Sequence, residues 1–471
     1  MMGIIWTIII IYMAAMIGIG FYAKTKIKDG NDYHLAGRRL GPIMLAGTLA
    51  ATEIGGGSSI GVASKAYGEW GLSAGWYVVS AGIGIILVSF IAPFMRKAMA
   101  TTVPEIIGRR YGKSSYAISS FLSVIASVVL TAVQITATAT IVHVLTGFDL
   151  TWAILISGVV VVFYTYLGGM WSVTLTDFVQ FFIIVIGFAI AIPFALSAAG
   201  GYDTVIANIP PEQLGFTKIG WKTILGLIVL YFMTFSTGQE AVQRYYSARD
   251  EKTAVVGSLL TGILMSIYAF IPAILGLIAL ATFPNIDPNN ALATVSIELL
   301  PPLIAGLLLS GVISATLSSA SGNLLAVATV YAKDIHGPVF KKNVKDGDDL
   351  KLSKGLVVLA GVLAIGMSLY SQQIIPLLVF AFTLRSTGPF AAYLLGLLWD
   401  KVTPKAGLYS IITGTVVGLI WELAKEPFGI MAVIAGSMSS LVVFLLVNWI
   451  EIKRGVPKSP SAFDFEKKES T

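Results

Sequence analysis

Ala50-Ala51-Thr52-Glu53-Ile54-Gly55-Gly56-Gly57-Ser58-Ser59 interrupts an otherwise apolar stretch at 42–66. A second interruption, Thr234-Phe235-Ser236-Thr237-Gly238-Gln239-Glu240, lies in another apolar stretch at 221–247. About 20 apolar residues cross a bilayer as a helix. Paired polar or Gly-rich gaps in two halves of a chain point to discontinuous helices, whose freed carbonyls and amides can hold ions and solute. Close helix packing also fits Gly55-Gly56-Gly57, but glycine alone does not account for Glu53. A phosphate loop does not fit, because no Lys-Ser or Lys-Thr follows the glycines.

The rest of the chain agrees with a membrane setting. Its 471 residues are 56% hydrophobic and 12% charged, with mean hydropathy +0.84, against about 25% charged in a soluble domain. Apolar runs fall at 3–23, 42–66, 71–98, 116–146, 150–168, 172–198, 221–247, 253–283, 302–333, 352–372, 374–398, 406–424 and 427–452. These are helices 0 to 12, and the two interruptions lie in helices 1 and 6. With the N-terminus outside, the inner loops carry 26 of the 31 Lys and Arg. The outer side holds Lys65, Lys218, Lys222 and Lys425, and Arg385 stays within the membrane. This bias predicts thirteen spans with the C-terminus in the cytoplasm. It also accounts for the net charge of +6 without nucleic-acid binding. The first run lacks a basic segment before it, so it reads as a retained helix and not a signal peptide. There are no cysteines, which excludes disulfides and thiol chemistry. The three histidines are far apart, so no metal cluster is visible.

Arg385 and Asp177 each sit inside an apolar run. A charge there costs roughly 2.5 kcal/mol or more on insertion scales and marks a substrate or ion path. Arg385 lies 11 residues into helix 10, about 16 Å at 1.5 Å per residue, near the bilayer centre. Glu53 is also near the middle of its span. Two opposite charges at one depth form either an ion pair that holds the helices or a site for a zwitterion. In the second reading Arg385 takes a carboxylate by two parallel hydrogen bonds and Glu53 takes an ammonium. Gly55, Gln134, Phe232 and Gln239 would line the pocket, although such residues also serve as packing groups.

Three runs carry a family likeness. Tyr164-Thr165-Tyr166-Leu167-Gly168-Gly169-Met170-Trp171-Ser172-Val173-Thr174-Leu175-Thr176-Asp177-Phe178-Val179-Gln180 is the first. Gln239-Glu240-Ala241-Val242-Gln243-Arg244-Tyr245-Tyr246-Ser247-Ala248-Arg249-Asp250 is the second, and Ala315-Thr316-Leu317-Ser318-Ser319-Ala320-Ser321-Gly322-Asn323-Leu324-Leu325 the third. In this order they resemble the sodium:solute symporter family over roughly 3–450. The wording is nearest to its choline-transporter and proline-transporter branches.

The resemblance implies an all-α polytopic membrane protein with the leucine-transporter fold and a 5+5 inverted repeat. An extra helix and first cytoplasmic loop would occupy 1–41, the repeats 42–198 and 221–398, two C-terminal helices 399–452, and a cytoplasmic tail 453–471. It implies a sodium ion between helices 1 and 8, held by the carbonyls of Ala51, Ile54 and Ala315 and the hydroxyls of Ser318 and Ser319. Sodium, a hard cation, takes oxygen ligands as other hard cations do. Helix serines can instead bond back to the preceding turn. A second sodium in some members would use Asp177, Ser318 and Ser321, but Gly322 stands where those members have a further hydroxyl. Asp177 then binds an ion or a proton, or braces helix 8. The choline branch places aromatics where this chain has Glu53 and Gly238, so an aromatic cage is not expected.

The expected function is sodium-coupled symport of a small organic solute across a cell membrane by alternating access. An amino acid or another amine- or carboxylate-bearing metabolite fits buried charges better than a sugar does. The implied partners are the solute, Na+ and the lipid bilayer. No nucleic acid is expected, and a monomer suffices. A channel or a solute sensor with a symporter-like fold is the alternative. An enzyme is not expected, for want of a nucleophile–base pair.

Overall fold

The structure is a computed structural model that describes residues 2–27, 30–336, 346–372 and 374–463. Inside a bilayer every backbone amide must be satisfied within the protein, which forces apolar segments into helices. The described chain is accordingly almost wholly helical. One isolated bridge, Leu40 against Ala248, is recorded.

Helix 0 is Met2–Lys24, and helix 1 is split into Pro42–Glu53 and Val62–Tyr67. Helix 2 is Trp76–Val88 and helix 3 Lys113–Thr146. Helices 4 and 5 run together as Leu150–Ala198. Helix 6 is split into Gly220–Thr237 and Gln239–Ser247. Helix 7 comprises Glu251–Tyr268 and Ile271–Thr282, helix 8 is Pro302–Val330 and helix 9 Asp346–Tyr370. Helix 10 comprises Ile374–Ser386 and Pro389–Leu398. Helices 11 and 12 are Pro404–Leu423 and Ala432–Lys453.

Among the described residues, ten helices are long and apolar enough to cross a membrane, or eleven when the bent helix 10 is one span. The broken helix 1 and the shorter apolar helix Leu150–Phe163 lie outside that criterion. Helix 10 adds a third interruption, a bend of 46°. Its cause is Pro389, which cannot donate to the ladder and clashes with the preceding turn.

Helix 8 is the axis of the molecule. In the apolar 18-residue stretch of Pro302–His336, 89% of residues are buried, against 28% in that of Met2–Ala23 and 33% in each of the last two helices. Helix 0 is nonetheless tied in: Gln180 Nε2 donates to the Tyr12 hydroxyl at 3.0 Å. Helices 4 and 5 part at Gly169, whose φ of 52° and ψ of −164° leave the helix. A Cβ there would also lie 2.5 Å from the Tyr33 ring. Gly169→Ala should therefore lower stability by about 1–3 kcal/mol. A thermal melt in detergent checks this, and an unchanged melt would show that the turn tolerates a side chain.

The face bearing most of the Lys and Arg, called here the basic face, is laced by loop contacts. Leu40 N donates to Ser247 O at 3.1 Å and Arg249 N to Leu40 O at 3.0 Å. Arg38 donates to the carbonyls of Tyr246, Met99 and Ala100. Burial, and then the neighbouring Arg96, push the Arg38 guanidinium down to about 10, so it stays charged at neutral pH. A short helix, Val103–Tyr111, begins with a side-chain N-cap: Glu105 N donates to Thr102 Oγ1, and Glu105 Oε2 accepts from Thr101 N just before the cap.

Candidate functional site

The first half of helix 1 ends where Ile54 N donates to Ala50 O at 2.9 Å, and the ladder resumes with Ser59 N on Gly55 O at 3.1 Å. The carbonyls of residues 51–54 fall in this gap, where the helix's own amides have run out. Thr52 O accepts the Ser319 hydroxyl at 2.5 Å, and Glu53 O accepts Ser58 Oγ at 3.0 Å. Ser319 Oγ is also 3.1 Å from Ala315 O. Ala51, Ile54 and Ala315 are fully buried. The break thus gathers neutral oxygens from helices 1 and 8 around Ser319, a donor set suited to a small hard cation.

Ser318 turns the other way and donates to Asp177 Oδ1 at 2.6 Å. Asp177 Oδ2 accepts from Thr48 at 2.6 Å, from Thr52 at 3.3 Å and from Arg244 Nη2 at 3.0 Å. Arg244 also donates to Thr48 Oγ1 at 3.0 Å and to Glu240 O at 2.6 Å. The ion pair is sealed, with Arg244 1% and Asp177 0% exposed. Ser321 bonds back to Ser318 O at 3.0 Å. A Cβ on Gly322 would lie 3.3 Å from Arg244 Nη2, so the bare glycine leaves room for the guanidinium. Of the residues expected around a second sodium, Asp177 is therefore already paired with a cationic side chain, Ser318 donates to Asp177, and Ser321 bonds within its own helix.

Beside the helix 1 break lies a cavity of about 40 Å³. That is room for a few waters, so a larger molecule enters only when the helices part. Glu53, Gln134, Glu240, Asn323 and Arg385, with the hydroxyl residues Thr52, Ser58 and Ser319, supply its polar wall, and Gly55 lies among them. Four rings, Tyr77, Tyr231, Phe235 and Phe382, line much of the remainder, together with Ala81, Leu130 and Leu378. Tyr231 meets Tyr77 edge-on at 5.4 Å and stacks on Phe235 at 5.2 Å. The Arg385 guanidinium rests 4.7 Å from the centre of the Phe382 ring.

Depth brings Glu53 and Arg385 to one cavity, but their direct pairing is corrected by the geometry. Arg385 Nη1 donates to Glu240 Oε1, and the two are 4% and 5% exposed. Gln134 lines the cavity and fixes the break, its Oε1 accepting from Gly56 N at 2.8 Å. The glycines admit this contact: a Cβ on Gly55 would lie 2.6 Å from Ser319 Oγ, and one on Gly56 2.4 Å from Ala137 Cβ. Gln239 lies outside the lining, because its amide is spent on the basic face, on Val103 N at 2.8 Å and Thr101 O at 3.2 Å. Phe232 also lies outside it and packs edge-on against Phe390 at 6.0 Å.

Residue-by-residue reading assigned no role to Glu240, Asn323 or the four rings. For Glu240 the signal was present, as a second carboxylate just past a glycine in an apolar span. The absence of aromatics at 53 and 238 argued against a ring-lined pocket; the rings come instead from helix 2, from elsewhere on helix 6, and from helix 10.

Broken helices converging on a buried, charged cavity are the architecture of a membrane transporter of small solutes. The sodium:solute symporter family model matches residues 33–414, and the chain belongs to that family. It is 27% identical over 434 residues to the osmoregulated proline transporter OpuE of Bacillus subtilis (strain 168), covering 86% of each chain. It is 26% identical over 434 residues to the sodium/pantothenate symporter of Escherichia coli (strain K12), covering 87% of this chain and 88% of that one. The structure matches a Na+-coupled sialic acid symporter in a substrate-bound outward-open state with a TM-score of 0.84 at 18% identity, covering 95% of this chain and 98% of the other. Mhp1, a nucleobase-cation-symport-1 family transporter in a closed conformation, matches with a TM-score of 0.60 at 16% identity, covering 89% and 95%. The fold is that of the leucine transporter. The protein is a multi-pass membrane transporter that couples Na+ to symport of a small solute, and not an enzyme. The channel alternative finds no support in these likenesses.

Proposed function

We propose that one sodium ion is carried per cycle at the helix 1 break, by the carbonyls of Ala51, Ile54 and Ala315 and the hydroxyls of Ser319 and Ser318. The solute occupies the adjoining cavity at Glu53, Gly55, Gln134, Glu240 and Arg385. It is an amino acid or another small amine- or carboxylate-bearing metabolite. The observation that carries this reading is the Ser319 hydroxyl, which reaches both the Thr52 carbonyl of the break and Ala315 O on helix 8. Sodium bound there joins the two helices and shapes the wall that the solute meets. Ion and solute then raise each other's affinity by the same factor.

A single ion is favoured because Arg244 already supplies the positive charge beside Asp177. Ser318 must leave Asp177 to complete the ligand set, which makes the two sites communicate. The basic face is cytoplasmic by its Lys and Arg bias, so the N-terminus is outside in a cell membrane. Residues 42–198 and 221–398 move as the two inverted repeats, and a monomer is sufficient.

The test is solute and radiolabelled sodium flux in proteoliposomes, with and without a sodium gradient; solute flux indifferent to sodium would refute the reading. A thermal-shift screen of amino acids, amines and carboxylates would find the solute, since bound ligand stabilises by mass action. Ser319→Ala removes an oxygen that would face a charge, an interaction worth about 1.5–3 kcal/mol. The sodium concentration for half-maximal uptake should rise roughly ten- to a hundredfold. Unchanged sodium dependence would place the ion elsewhere.

A further inference from the structure

We infer that the solute is a small primary amine carried as its ammonium cation and lacking a carboxylate. The inference rests on the cavity being the solute site, and it narrows the solute class given above.

The cavity already contains the carboxylate that Arg385 would otherwise take from a solute. Arg385 Nη1 donates to Glu240 Oε1, and both side chains are sealed from solvent. The helix 6 break is shaped around this pair. Gly238 separates the two halves with φ −65° and ψ 114°. A Cβ at that position would lie 2.7 Å from Arg385 Nη1, 2.9 Å from its Cζ and 3.0 Å from Glu240 Oε1. A side chain there would force the guanidinium and the carboxylate to shift. A solute carboxylate would either displace Glu240 and leave it buried without its cation, or share the guanidinium through Nε and Nη2 with two other carboxylates close by, and both costs work against binding.

What the pair leaves over is an excess of acceptors. Among the described residues, Glu53 Oε1, Glu240 Oε2 and Asn323 Oδ1 are buried without a hydrogen-bond partner, and all three residues line the cavity. One donor, Arg385 Nε, is in the same position. Two carboxylates face one guanidinium, so with both ionised the cavity has one negative charge in excess, which an ammonium would neutralise. A primary ammonium brings one positive charge and three N–H donors. Tyr77, Tyr231, Phe235 and Phe382 add ring surfaces that favour a cation and cover its apolar remainder. A quaternary ammonium would match the rings but leave the acceptors unpaired. Sodium on neutral oxygens at the adjoining break does not use these atoms.

The test uses the full-length protein in detergent, with thermal shifts recorded for sodium alone and then for primary amines from methylamine to butylamine and ethanolamine. Butyrate, 4-aminobutyrate and tetramethylammonium are the comparison probes. A member of the amine panel should stabilise the protein in sodium, while butyrate and tetramethylammonium should not. Glu53→Gln should weaken that amine at least tenfold and keep the shift caused by sodium, which shows that the variant is folded. Glu240→Gln frees Arg385 and should turn the preference toward butyrate. Stabilisation of the wild type by butyrate or 4-aminobutyrate in preference to every amine would overturn the inference. So would a sodium shift with no response to any amine, and that result would leave the sodium reading standing. Loss of the sodium shift itself would count against the sodium site and not against the amine, which is then scored in sodium-free buffer.

Discussion

Replacing Arg244 by Gln is expected to lower stability by about 3–5 kcal/mol, because it strands a buried carboxylate. Asp177 is 0% exposed. Its remaining partners, Thr48, Thr52 and Ser318, are neutral hydroxyls. Arg244 also holds Thr48 on the first half of helix 1 and the Glu240 carbonyl on the second half of helix 6. Its removal therefore loosens both broken helices at once. Asp177→Asn should be similarly damaging, since it leaves a buried guanidinium without its charge partner. The double variant removes both charges and should recover most of the loss, as neutral replacements of buried pairs commonly do. Melting temperatures of the three variants in detergent form a double-mutant cycle. Strict additivity of the two single losses would mean that the pair does not work as a unit. Radiolabelled sodium-to-solute ratios near one in the wild type would then separate a brace from an ion site.

The interruptions in helices 1 and 6 were legible because glycine and charge are out of place in apolar runs, and composition alone reveals that. The bend in helix 10 was hidden, although Gly388-Pro389 is a local breaker, because 374–398 reads as one apolar run. Depth put Glu53 and Arg385 in the same layer, since depth follows from counting residues along a helix. It could not name the partner of Arg385, which depends on how each helix is rotated about its axis. Gln239 and Glu240 make the point: adjacent residues on a helix diverge by about 100°. One therefore faces Thr101 and Val103 and the other Arg385. Asp177 is legible as a charge in an apolar run and the resemblance adds Ser318, but Thr48 and Thr52, which also donate to it, carry no such signal. The Arg244 that meets them comes from another helix 67 positions away, and no local pattern carries that contact.

At about 100 mV and a tenfold sodium gradient, a neutral solute is expected to accumulate several-hundred-fold, and a monocationic amine roughly 25,000-fold. One sodium gains about 2.3 kcal/mol from the potential and about 1.4 kcal/mol from the gradient. Together these hold a neutral or zwitterionic solute near 500-fold. An ammonium solute carries its own charge inward and gains a further 2.3 kcal/mol or so, about fiftyfold. A second sodium with a neutral solute would show nearly the same voltage dependence, so voltage alone does not decide. The sodium gradient does: the plateau follows its first power for one ion and its second power for two. Proteoliposomes clamped at zero and at about 100 mV, each at two sodium gradients, separate the three cases. Two charges with first-power sodium dependence is the result expected from Arg244 beside Asp177 and from the surplus carboxylate in the cavity. Second-power dependence would mean that Arg244 yields its place to an ion during the cycle. Ser319→Ala should leave every plateau where it was, because it changes how tightly sodium is held and not how much energy its passage releases.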